Sequence, residues 1–217
     1  MSAAMTAAAA LYAAGVRSEP GAPFLPFADG RRWNLLAPRP EDLNWSELAT
    51  RLACLPRFTG ATTWSVGDHM LFVRRLVSRP ARPYALLHDA GEGLLGDWTT
   101  PVKRALGSLS PAAAKALGEL EWRTAAAIHA AAGIAFPPTD AIAREVMHAD
   151  AVTLATERRD LFGAGFTNGW GGDLPPPASS RQSRLKGRLV PRKPELVRAD
   201  LLAALVEDGL APADVAR

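Results

Sequence analysis

A chain of 217 residues, 48% of them hydrophobic, is long enough to bury a full core as one domain, and its sparse aromatics and short β-branched runs favour helix over sheet. With 25 basic and 22 acidic side chains the net charge is +3, too small an excess to create a strong nucleic-acid or membrane field. The single cysteine, Cys54, excludes an intrachain disulfide and a cysteine-rich zinc site and reads as a small core residue, and no run of about 18 apolar residues suited to a membrane span occurs.

Residues 1–30 read as a flexible extension. The alanine run to Ala14 has no Lys or Arg ahead of Arg17, the reverse of a secretory signal, which points to the cytoplasm. Pro20, Gly21, Pro23 and Pro26 break any helix begun there. Arg31–Pro40 is expected to lie over the domain as an ordered extension, and Trp45–Ala53 to form a helix capped by Asn44.

Ser65 with Asp68 three residues on resembles a capping box. Beyond it His69, Phe72, Val73, Leu76 and Val77 share one helical face, which aims His69 at the core. Pro83 opens a helix over Tyr84–Leu95, weakened by Gly91, Gly93 and Gly96 so that the chain turns near Gly96-Asp97, with a further break at Thr100-Pro101. Ala112–Ala132 is predicted as a long helix ended by Gly133 and Pro137-Pro138. Asp140–Leu161 is another, with Asp150 inside the stripe of Ile142, Val146, Thr153, Leu154 and Leu161. From Gly163 to Pro177 the chain reads as loop, before a last amphipathic helix over Glu195–Glu207.

His88-Asp89 follows the apolar run Tyr84-Ala85-Leu86-Leu87. An imidazole and a carboxylate beside a core are costly unless paired or bound to metal. His69 and Asp150 pose the same problem, and one divalent cation would resolve all four. Two imidazoles and two carboxylates without a thiolate suit Mn, Fe, Co, Ni or Zn and leave positions open for water and substrate. Glu92, four residues after His88, falls on the same helical face and is placed to orient or deprotonate a water. Asp97, at the helix exit, is a second candidate acid or base. His129 and His148 read as surface residues. The run Arg181–Lys193, with six cations and no acid, reads as a solvated segment, with contact to nucleic acid as the alternative.

Three stretches together, Trp64-Ser-Val-Gly-Asp-His69, Leu87-His-Asp-Ala-Gly-Glu92 and Gly96-Asp-Trp-Thr-Thr-Pro-Val-Lys103, resemble the HD-domain phosphohydrolases, nearest the 5′-deoxynucleotidase branch and its phage relatives. Asp150 with Leu154-Ala-Thr-Glu157 is similar to the family's final metal-binding Asp, and Arg57-Phe-Thr-Gly60 to an Arg-Phe-Asn-Gly signature. Gly67-Asp68 departs from the family's usual Ala-Glu or Ala-Gln, and Gly91, Gly93 and Trp98 depart in ways expected to alter pocket shape.

The resemblance implies an all-α fold, an HD-domain helical bundle with the metal site between helices, over residues 31–165. Residues 166–217 would then supply a loop and a C-terminal helix packing on the same domain. It implies His69, His88, Asp89 and Asp150 as ligands of one divalent ion (Mn, Co, Mg, Fe, Ni or Zn). Glu92 would activate the attacking water, Asp97 would protonate the leaving group, and Arg57 and Lys103 would bind phosphate. The expected activity is hydrolysis of a small-molecule nucleotide, either a (deoxy)nucleoside 5′-monophosphate or a triphosphate, by a homo-oligomer. The alternatives are a non-catalytic nucleotide-binding regulator and a nuclease using the basic C-terminal segment.

Overall fold

Asn44 starts the first long helix, accepting the Glu47 N–H into its side chain, so the cap expected from sequence forms. The structure, a computed structural model, describes residues 21–162, 174–180 and 187–216. Most of the expected N-terminal extension and parts of the C-terminal loop and basic run lie outside the described residues. The described chain is mostly helical. In order it comprises β1 (Phe24–Pro26), β2 (Arg32–Asn34), α1 (Trp45–Cys54), α2 (Val66–Leu76), α3 (Arg82–Leu87), α4 (Glu92–Leu95), α5 (Thr100–Leu109), α6 (Pro111–Ala131), α7 (Asp140–Leu161) and α8 (Pro194–Glu207).

Strands β1 and β2 pair antiparallel, Leu25 opposite Trp33, so residues 24–26 belong to a hairpin although the proline spacing assigns them to a loose extension. Trp33, fully buried, anchors the hairpin to the main core. Arg51 on α1 donates to the Pro26 carbonyl at 2.7 Å, and Glu47 accepts the Ala28 N–H at 2.7 Å.

The main core gathers Trp33, Leu48, Leu52, Val66, Met70, Leu86, Leu94 and Ile128, with Val197, Leu201 and Leu202 of α8. Each such side chain contributes roughly 1.5–3 kcal/mol by leaving water. Helix α8 lies across α1 and α2. A Cβ on Gly67 would stand 2.8 Å from side-chain carbons of both Leu201 and Val197, so the absent side chain is what lets α8 approach. Gly93 has a similar reason, its hypothetical Cβ meeting Leu48 at 2.9 Å, so this glycine serves helix packing.

Two expectations for the middle of the chain need revision. The helix predicted over Tyr84–Leu95 is two, α3 and α4, joined by a turn at His88–Gly91. Its N–H groups bond three residues back, Glu92 to Asp89 and Gly93 to Ala90, as in a 3₁₀ turn. The expected break at Thr100-Pro101 is instead the start of α5, with Pro101 in the first turn, where its missing N–H costs nothing. Val102, Ala105, Leu106 and Leu109 carry the helical period there.

Candidate metal centre

Three parts of the chain meet at His69. Ser65 caps α2 by accepting the Asp68 N–H at 3.0 Å, which sets the helix so that His69 is wholly buried at its first turn. The turn after α3 brings His88 and Asp89, and α7 brings Asp150. His69 Nε2 lies 3.2 Å from His88 Nε2, 3.1 Å from Asp150 Oδ1 and 3.4 Å from Asp89 Oδ2. His88 Nε2 is 3.2 Å from the same Asp89 oxygen. Ligand atoms of His69, His88 and Asp150 all fall within 4.8 Å of one another, so this group could hold a metal ion.

The outer contacts of the two imidazoles decide what the inner faces offer. His69 Nδ1 is 2.8 Å from a carboxylate oxygen of Glu157, and His88 Nδ1 is 2.8 Å from the Ala85 carbonyl. Both partners only accept, so each Nδ1 carries the proton, and in the neutral rings both Nε2 lone pairs point inward. With neutral rings, two nitrogens and the Asp150 oxygen converge as acceptors, and Asp89 Oδ2 beside them also accepts from Arg57 Nη1 at 3.4 Å. The negative charge left beyond Arg57 is met either by protonated imidazoles or by a cation, and the nitrogen–oxygen donors fit a divalent cation with the outer hydrogen bonds fixing the rings.

The neighbouring carboxylates act on both histidines in the same direction. Burial alone would lower the His88 pKa, but the Asp89 and Asp150 charges raise it to about 9. His69 is raised too, burial and Arg57 being outweighed by Glu157 and Asp150. Asp89 and Asp150 resist burial and stay below the usual carboxylate range beside the histidines.

Glu92 behaves in the opposite way. Burial, then the charges of Asp89 and Asp97, push its carboxyl up to about 9. Its Oε2 atom is buried with no hydrogen-bond partner among the described residues. Asp97 is raised as well, by burial foremost and Asp89, while accepting a hydrogen bond from the Phe58 backbone. Arg57 lies 3.4 Å from both Asp89 Oδ2 and Glu157 Oε2. It is delivered by a tight loop in which the Arg57 N–H bonds the Trp64 carbonyl at 2.9 Å, and Phe58 and Thr59 take left-handed φ of 57° and 55°.

No family model matches the chain. An uncharacterized protein of Rhodobacter capsulatus is 37% identical over 145 residues, an overlap of 62% of this chain and 70% of that protein. The chain belongs to the same family as that protein. It is also similar to the uncharacterized protein YfdR of Escherichia coli, 32% identical over 123 residues, or 56% of this chain and 62% of YfdR, so it spans less than two thirds of that relative. Neither relative's description states an activity, and the chemistry must be read from the site.

Of the residues singled out in the sequence, His69, His88, Asp89, Asp150 and Arg57 meet directly, and Glu92 and Asp97 lie within electrostatic reach of them. Lys103 does not share these contacts. It sits on α5 and pairs with Glu121 of α6 at 2.7 Å, both side chains partly exposed. His148 is exposed as expected. His129 is not: it is buried, with the Tyr84 and Phe136 rings tilted against it at centroid distances of 5.9 and 4.6 Å, its Nδ1 donating to the Ala125 carbonyl. Cys54, expected in the core, is exposed at the end of α1.

Sequence reasoning leaves one residue of the site without a role. Glu157 is fully buried, accepts from Trp64 Nε1 at 2.7 Å and His69 Nδ1 at 2.8 Å, and faces Arg57. Burial would raise its pKa, yet Arg57 and His69 hold it below the ordinary value. A signal for it exists: Glu157 lies seven residues, or about two helical turns, after Asp150 and so on the same face.

Proposed function

We propose that this protein is a metal-dependent phosphohydrolase of the HD-domain class that acts on nucleotides. The observation that carries the reading is the convergence of two imidazole nitrogens with Asp89 and Asp150, together with the Glu92 carboxyl, whose buried Oε2 has no hydrogen-bond partner among the described residues. Ligands drawn from one long helix, a histidine–aspartate turn and a second long helix also suit an HD-type helical bundle.

His69, His88, Asp89 and Asp150 would hold one divalent cation, which when bound supplies Lewis acidity toward a phosphoryl oxygen. Glu92 then takes a proton from the attacking water. With its pKa raised to about 9 the empty site keeps Glu92 protonated near neutral pH; the charge of a bound cation would favour the carboxylate, whose buried Oε2 has no hydrogen-bond partner among the described residues and would then accept the proton. Asp97, likewise raised, returns a proton to the leaving oxygen. Arg57, held over Asp89 and Glu157, offsets the charge that builds up on the transferred phosphoryl group.

The test is product formation from deoxy- and ribonucleoside mono- and triphosphates with Mn²⁺, Co²⁺ or Mg²⁺. Products are identified by mass, because released triphosphate escapes a phosphate assay. Wild-type turnover abolished by both Asp89→Ala and Glu92→Ala is expected. A folded, metal-loaded protein that turns over none of these nucleotides would overturn the enzymatic reading in favour of a nucleotide-binding regulator.

A further inference from the structure

A cleft is lined in part by Trp64, whose Nε1 donates to Glu157. Asp68, Leu71, Phe72 and Arg75 fall at i, i+3, i+4 and i+7 along α2 and so form one face of it. The segment Arg188–Arg192 runs opposite that face. Between them is a cleft of about 270 Å³ walled by Leu71, Phe72, Leu189 and Val190 and bordered by three guanidinium groups, Arg75, Arg188 and Arg192.

The segment is fixed in place. Leu189 is buried against Trp64 and Phe72, and its N–H donates to Asp160 at 3.0 Å. Arg192 donates to Asp68 at 2.7 Å and also pairs with Asp200. Arg192 is therefore neutralised by two acids. Arg75 and Arg188 make no ion pair within 4.0 Å among the described residues, although the Arg188 charge is felt by Asp160, which is paired with Arg159. The acids that act on Arg75, Asp200 and Asp68, are those already engaged by Arg192. Burial first, then repulsion from Arg192, lower the Arg75 pKa, partly offset by Asp200 and Asp68.

We infer that this cleft is a binding site for a phosphate monoester of a small apolar or aromatic group, separate from the metal centre. Two guanidiniums outside any close ion pair match the charge and the multiple acceptors of a phosphate dianion. The leucine, phenylalanine and valine walls give the organic part an apolar surface, with Val190 68% exposed at the mouth. The two sites meet only through neighbours: Asp68 precedes His69 but turns to Arg192, and Trp64 lies between the cleft and Glu157. The inference stands whether or not the metal centre hydrolyses nucleotides.

Phenylphosphonate, whose carbon–phosphorus bond resists hydrolysis, tests it by isothermal titration against the full chain, beside inorganic phosphate. Saturable binding is expected, tighter for phenylphosphonate than for phosphate. Affinity should fall by about tenfold or more in the Arg75→Ser/Arg188→Ser double variant and fall in the single Arg188→Ser variant, whose side chain is exposed. Asp89→Ala should retain it. No binding, equal affinity for the two anions, binding unchanged by the arginine variants, or binding lost in Asp89→Ala would each overturn the proposal, the last by moving the ligand to the metal centre.

Discussion

Replacing Glu157 with Gln tests the physical account of the metal centre most directly, because it changes no proposed ligand. The carboxylate accepts two hydrogen bonds on one oxygen, from His69 and Trp64, and faces the Arg57 guanidinium at 3.4 Å with the other. Gln keeps the shape but loses the charge, so its carbonyl makes weaker bonds and its NH₂ group is set against a cation. Loss of an outer carboxylate partner of a metal-binding imidazole typically weakens metal binding by about 10–100-fold. Leaving the buried Arg57 charge with only Asp89 close by should lower stability by roughly 3–5 kcal/mol. Titration with Mn²⁺ and urea unfolding read the two effects separately. Lower stability with unchanged Mn²⁺ affinity would refute the claim that Glu157 fixes the His69 ring, and would leave it a structural counter-ion to Arg57. No Mn²⁺ binding by the wild type would refute the metal centre itself.

Three further outcomes rest on particular contacts. Gly67→Ala should destabilise by about 1–3 kcal/mol in urea unfolding, since its methyl group would press on Leu201 and Val197; a gain in stability would mean that α8 yields easily. Lys103→Ala should change turnover less than about twofold, because the ammonium is committed to Glu121; a loss of about tenfold or more would bring Lys103 into the substrate site. His129 has its pKa lowered, mainly by burial, so the unfolded chain takes up a proton more readily than the folded one. The stability of the neutral ring is therefore fully present above the unfolded value of about 6.5 and is lost as pH falls through that value toward the lower folded one. Wild type should lose more stability than His129→Gln between about pH 7.5 and 5 in urea unfolding, and parallel curves would contradict the burial account.

The long helices are legible because each carries a strong, self-contained signal. Ser65 and Asn44 cap where the sequence places them, and the apolar period around His69 and Asp150 turns both inward. The middle of the chain is harder. Three glycines between residues 91 and 96 suggest a weak helix, but sequence alone does not show that two of them, Gly91 and Gly93, face Thr124 and Leu48. The hydrogen bonds of the turn at His88–Gly91 close three residues back rather than four, and His88, Asp89 and Glu92 lie within electrostatic reach of one another there.

The same limit accounts for Lys103 and Glu157. A basic residue in a matching stretch says nothing about which acid it will meet, and Glu121 on α6 takes up Lys103 from outside that stretch. Glu157 is within reach of sequence reasoning, being in register with Asp150 on a face whose apolar period marks it as buried. A fully buried glutamate on such a face must find partners, and the available ones are His69, Trp64 and Arg57, each already marked for a different reason. Asking of every buried charge what neutralises it assigns the outer layer of the site as well as its inner one.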